Sequence, residues 1–156
     1  MSDVFQDLGF FRTLNKSQVE IIKNIFTPCD FAAGSELFEQ DSPAEFLYIV
    51  VKGEVAVSFK PDDGPPITVA RVRAGEVVGW SAALSSRVYT SSAKSEIYTQ
   101  LLRVRGIDLR RICRMYPDIG KIVQDCLAAV IVERVRITHA QVVALLELGL
   151  GVSESS

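Results

Sequence analysis

The 156-residue chain carries 17 Lys+Arg against 19 Asp+Glu, a formal charge of −2, which leaves no overall basic field for nucleic acid. At 48% hydrophobic residues it can fill the core of one domain, but its longest uninterrupted apolar run, Cys126 to Val132, is far short of the roughly 20 residues of a membrane span. A single histidine, His139, and three dispersed cysteines (Cys29, Cys113, Cys126) exclude a multi-histidine metal site, an intrachain four-thiolate cluster and a disulfide framework, and weigh against an enzyme. Residues 1–28 read as helical. Asn15 followed by Gln18 is a capping-box pattern, and Val19, Ile22 and Ile25/Phe26 then recur at helical spacing. From 29 to 103 the pattern is strands and turns. Phe46–Val51 is a continuous β-prone run ended by Lys52-Gly53, and Val55, Val57 and Phe59 alternate with polar or small residues. Pro61-Asp62-Asp63-Gly64-Pro65-Pro66 is a turn, and Ile67–Val72 returns as its partner strand. Glu76-Val77-Val78 lies between Gly75 and Gly79, and Arg87–Ala93 and Ile97–Leu102 read as two more strands.

The period becomes helical near Gly106. A short helix ends at Met115-Tyr116, and Pro117 suits the first position of the next. Nothing breaks that helix before Leu148, so it is expected to run about 30 residues, roughly 45 Å. Ala128, Ile131, Val135, Thr138, Val142 and Leu145 step by three and four, a coiled-coil seam, which predicts a homodimer through the long helix. Arg103, Arg105, Arg110, Arg111 and Arg114 form a local basic stretch, most simply a solvated face, alternatively a dock for an acidic partner or lipid head groups. The fold expected is mainly β: a jelly-roll with flanking helices and a long C-terminal dimerisation helix, in one domain over 1–148, with a flexible tail at 149–156.

The order of elements, and several motifs within it, resemble the cyclic-nucleotide-binding domain. Leu47–Val57, with its Lys52-Gly53 turn, resembles that family's strand–Gly–strand signature. Val72–Gly79 resembles the run into its phosphate-binding cassette, and Arg87–Ala93 is in frame with its Arg-x-x-Thr-x-x-Ala strand. Arg134–Thr138 resembles the part of the long helix that faces the nucleotide in bacterial catabolite activator proteins. The resemblance implies cAMP or cGMP as ligand and a site made of Gly79, Trp80, Ser81, Ala82, Arg87, Val88 and Thr138. Arg87 would pair with the cyclic phosphate, beside backbone N–H groups of Gly79–Ala83, and Thr138 would meet the purine.

Two departures stand out. Trp80 occupies the position where the family has a ribose-binding Glu, and indole has a donor but no acceptor; Val88 replaces the usual Ser or Thr beside the Arg. Two readings follow. One is a sensing or regulatory module for a cyclic nucleotide or other anionic ligand, acting through a partner protein. The other is an interaction or scaffold domain that binds no ligand, its pocket plugged by Trp80. A cupin-like enzyme is disfavoured by the lone His139. Residues 149–156 are too few for a helix-turn-helix domain, so DNA binding by this chain is not expected, and the acidic, leaderless N-terminus and free thiols point to the cytoplasm.

Overall fold

The computed structural model describes residues 9–84 and 87–132. The outer seam positions Val135, Thr138, Val142 and Leu145, together with His139 and the 149–156 tail, lie outside the described residues.

Helix α1 spans Lys16–Ile22 and starts as its sequence dictates. The Asn15 side chain accepts from the Gln18 N–H at 2.9 Å, and the Gln18 side chain accepts from the Asn15 N–H at 2.9 Å. A 3-10 turn over Lys23–Ile25 follows, and then the helical expectation for 1–28 fails: Phe26 is extended and strand β1 occupies Thr27–Phe31. Pro28 explains the change, because the residue before a proline is pushed out of the helical region. β1 is also an edge strand, the one place in a sheet where a proline costs little.

Seven further strands follow: β2 (Glu36–Phe38), β3 (Phe46–Lys52), β4 (Glu54–Phe59), β5 (Ile67–Arg73), β6 (Val77–Val78), β7 (Ser92–Ser95) and β8 (Thr99–Arg105). They form two antiparallel sheets, ordered β1-β8-β3-β6 and β2-β7-β4-β5, so consecutive strands cross repeatedly between sheets in the jelly-roll manner. The strand expected over Arg87–Ala93 forms only at its end. Residues 87–89 instead run beside the 41–44 loop, with Ala44 N–H donating to Arg87 O and Tyr89 N–H to Ser42 O. Pro43 lacks an N–H, so no regular ladder can form there. The strand expected at Ile97 begins at Thr99, because Ile97 and Tyr98 make an exposed turn.

Helix α2 covers Gly106–Met115, and helix α3 begins at residue 117 and continues to the last described residue, 132. Ile119, Val123 and Leu127, spaced by four, bury one stripe of α3 against α1, α2 and the first sheet. Gln18 Nε2 donates to Asp118 Oδ2 at 2.7 Å and ties α1 to the start of α3. The pleat of β3 divides the interior. Leu47 and Ile49 face the helices, whereas Tyr48 and Val50 face the space between the sheets.

Candidate functional site

The site grows from the shortness of β6. That strand pairs with β3 only at Tyr48–Val78 and Ile49–Val77, so the ladder stops two residues short of Phe46, the first residue of β3. The chain leaves at Gly79, whose φ of 83° and ψ of 32° are left-handed, and enters a 3-10 turn over Trp80–Ala82. Space demands glycine there as well. A Cβ at Gly79 would lie 2.9 Å from Phe46 O and 3.2 Å from the Phe38 ring.

The N–H and C=O of Phe46, left without a strand partner on this edge, are both met by one side chain. Phe46 N–H donates to the Tyr89 hydroxyl at 2.9 Å, and that hydroxyl donates to Phe46 O at 2.5 Å. The Tyr89 ring lies on Phe38 with centroids 3.7 Å apart and planes 13° from parallel. Burial pushes the Tyr89 hydroxyl up from its ordinary pKa, against the lowering effect of its backbone bond to Phe46. Tyr48, deeper in the roll, is pushed up to about 12, also chiefly by burial, with Arg103 acting in the opposite sense. Arg103 faces Tyr48 across the β3–β8 pair, its guanidinium 4.4 Å from the Phe46 ring centroid.

What remains between these groups is a cavity of about 10 Å³, lined by Phe38, Val78, Gly79, Trp80, Ser81, Tyr89, Thr90 and Ser91. That is the volume of a single water, whereas small-molecule pockets run to roughly 300–1,000 Å³. Ser81 is 5% exposed, and its hydroxyl has no hydrogen-bond partner among the described residues.

The structure thus gathers Gly79, Trp80, Ser81 and Ala82 into one corner but leaves Arg87 and Val88 outside the cavity, on the exposed segment that runs beside the 41–44 loop. Arg87 is exposed, and its side chain has no ion-pair partner among the described residues. Trp80 lines the cavity while its bulk packs with the helix-side cluster, so it bridges the two halves of the core. Tyr89 and Phe38 also line this cavity, and sequence reasoning did not single them out. Tyr89 sat inside a stretch read as regular strand, and Phe38 in a strand too short to show a period; their meeting depends on the pairing of 87–89 with 41–44. Thr138 lies outside the described residues.

The corner is tied to the helices. Arg110 Nη1 donates to Ala82 O, and Gly106 N–H donates to Glu45 O at 2.9 Å. Gly106 lets α2 approach so closely that a Cβ there would lie 2.1 Å from Ala82 O. Beyond this contact a groove of about 780 Å³ runs between the corner, α2 and α3, with Leu84, Arg110, Arg114 and Lys121 on its sides and Ala128 and Ile131 on its α3 wall. No helix among the described residues is long and apolar enough to cross a membrane.

A jelly-roll whose sixth strand breaks at a left-handed glycine into a short turn, read by a following helix, is the architecture of a cyclic nucleotide-binding domain, and residues 28–116 match that family. The chain belongs to it. Among solved structures, a putative cyclic nucleotide-binding protein from Geobacter metallireducens superposes with a TM-score of 0.75 at 25% identity, covering 86% of this chain and 97% of that one. The Thermus thermophilus catabolite activator protein gives 0.72 at 25% identity, over 88% of this chain and 62% of that one. Among curated relatives, a CRP-like cAMP-activated global transcriptional regulator of Mycobacterium tuberculosis is 23% identical over 111 residues, 71% of this chain and 47% of the relative. The chain therefore spans about half the length of that relative.

Proposed function

We propose that this chain is a non-enzymatic, cytoplasmic regulatory module of the cyclic nucleotide-binding family whose cassette corner is closed to cyclic nucleotides and whose output is a contact with another protein. The observation that carries this reading is the stacked Phe38–Tyr89 pair, which leaves about 10 Å³ beside Gly79. Trp80 supports it from the other side of the corner, since an indole offers no acceptor to a sugar hydroxyl. The Arg110–Ala82 bond and the Gly106 contact give the corner a rigid connection to α2, so its position is expressed on the helical face. Dimerisation through α3 is part of the proposal. Ala128 and Ile131, the first two seam positions, face an open groove, and Val132 beside them is 68% exposed.

Titration calorimetry with cAMP and cGMP tests the closed corner: no heat is expected at millimolar nucleotide, and a saturable isotherm overturns it. Light scattering at micromolar concentration tests the dimer, which a monomeric mass would refute. A second reading, sensing of an anion through Arg87, is favoured by the exposure of that guanidinium and its lack of an ion-pair partner among the described residues. It predicts binding of an anionic ligand that is lost in Arg87→Ala.

A further inference from the structure

We infer that the Tyr89 side chain is a built-in occupant of a slot shaped for a planar heteroaromatic ligand, which enters only in exchange for the tyrosine ring. The inference rests on the closed-corner reading and explains how the closure is held. Three features define the slot. Its floor is the face of Phe38, on which the Tyr89 ring lies at 3.7 Å. Its polar edge is the N–H and C=O of Phe46, a donor and an acceptor side by side, freed from the sheet because β6 stops at Val78 and now satisfied together by one hydroxyl. Its far wall is the Gly79–Ser81 corner, where the Ser81 hydroxyl is buried without a hydrogen-bond partner among the described residues.

A flat ring system carrying an acceptor next to a donor, as adenine does, matches this set. It would stack on Phe38, replace both bonds to Phe46 and reach Ser81. The phenol ring of Tyr89 meets the first two demands and leaves the third unmet. The segment that carries Tyr89 lies outside the strand ladders. Residues 87–91 belong to no strand and are fastened to the 41–44 loop by three backbone bonds, Ala44 N–H to Arg87 O, Tyr89 N–H to Ser42 O and Asp41 N–H to Tyr89 O. Because the open form competes with the latched one, a ligand's apparent affinity is reduced by the fraction of molecules with the ring displaced.

The experiment uses Trp80, the single tryptophan, which lines the cavity and reports on its filling. Adenine and cAMP are titrated into wild type, Tyr89→Ala, Phe38→Ala and Tyr89→Phe, with emission read under selective tryptophan excitation and melting temperature measured in parallel. In Tyr89→Ala, adenine is expected to give a saturable change at least about tenfold tighter than in wild type, with a rise in melting temperature. Tyr89→Phe keeps the ring but loses the hydroxyl latch, and is expected to fall between the two. Phe38→Ala removes the floor of the slot and is expected to bind adenine no better than wild type. A folded Tyr89→Ala that does not respond, or a Phe38→Ala that binds as tightly as Tyr89→Ala, overturns the inference. If Tyr89→Ala does not fold, a Tyr89→Phe indistinguishable from wild type overturns it instead. Saturable cAMP binding by wild type refutes the closed corner itself, whatever the variants do. A closed wild type with an unresponsive Tyr89→Ala refutes only the occupant.

Discussion

β3 and β8 each serve two cores, and the two are built differently. On the helix side Leu47, Ile49, Leu102 and Val104 meet Phe11, Ile22, Leu109 and Ile119, and every buried member of that cluster is a hydrocarbon side chain. Between the sheets the same strands present Tyr48, Val50 and Leu101 to Phe38, Val57 and Tyr89, so hydroxyls and stacked rings enter the core. The pleat alone makes this division, since alternate residues of one strand face opposite sides. The helix-side core holds the elements together by apolar packing. The inter-sheet core ends at the Gly79 corner, where polar groups have to be satisfied one by one.

This contrast is open to direct test. Tyr89→Ala is expected to cost about 3–5 kcal/mol in denaturant unfolding, as large aromatic truncations do, with part of the loss recovered by adenine. Leu109→Ala, which empties a similar space in the hydrocarbon core, is expected to cost about 2–5 kcal/mol with no recovery by the same ligand. Equal recovery in both variants would erase the distinction between the two cores. Tyr89→Phe leaves the stack but strands Phe46 N–H and C=O, an expected loss of about 1–3 kcal/mol. Asn15→Ala, remote from the corner, removes one half of a capping box and is expected to cost about 1 kcal/mol while leaving Trp80 emission unchanged.

The last test uses pH. Tyr48 has an ordinary pKa of 10 raised to about 12 in the folded chain, chiefly by burial. Its neutral form is therefore favoured by folding: the contribution is fully present below pH 10 and is lost as pH rises from about 10 to about 12. Tyr48→Phe should flatten the alkaline fall of the unfolding midpoint over that window relative to wild type, and identical slopes would place the titration elsewhere.

Much of this was legible along the chain. The Asn15–Gln18 capping box, the β3 and β4 runs, the proline-rich turn before β5 and the start of α3 at Pro117 all rest on local rules, each fulfilled by neighbours within a few positions. Gly79 was legible for the same reason, as a glycine stopping a strand. The failures have a common cause. Phe26 and Thr27 leave the helix for a strand whose partner, β8, lies more than 70 residues on, at Arg103. Residues 87–91 miss the ladder because of Pro43 in the facing loop. Tyr89 and Phe38 meet although 51 positions separate 38 from 89, and no period in the sequence marks either of them.

Sequence alone determined that the chain is a helix-flanked jelly-roll with a glycine closing the short strand at Glu76-Val77-Val78, because alternation, turns and caps act over short distances. It also determined that the corner lacks an acidic residue after Gly79, since Trp80 stands there. Only the tertiary structure decided what fills the corner. The two-residue β6 leaves Phe46 with an unpaired N–H and C=O, and the chain meets that need with the hydroxyl of a residue carried in from a distant loop. An unmet backbone pair in a buried place is costly, and which side chain answers it depends on which loop the fold brings alongside.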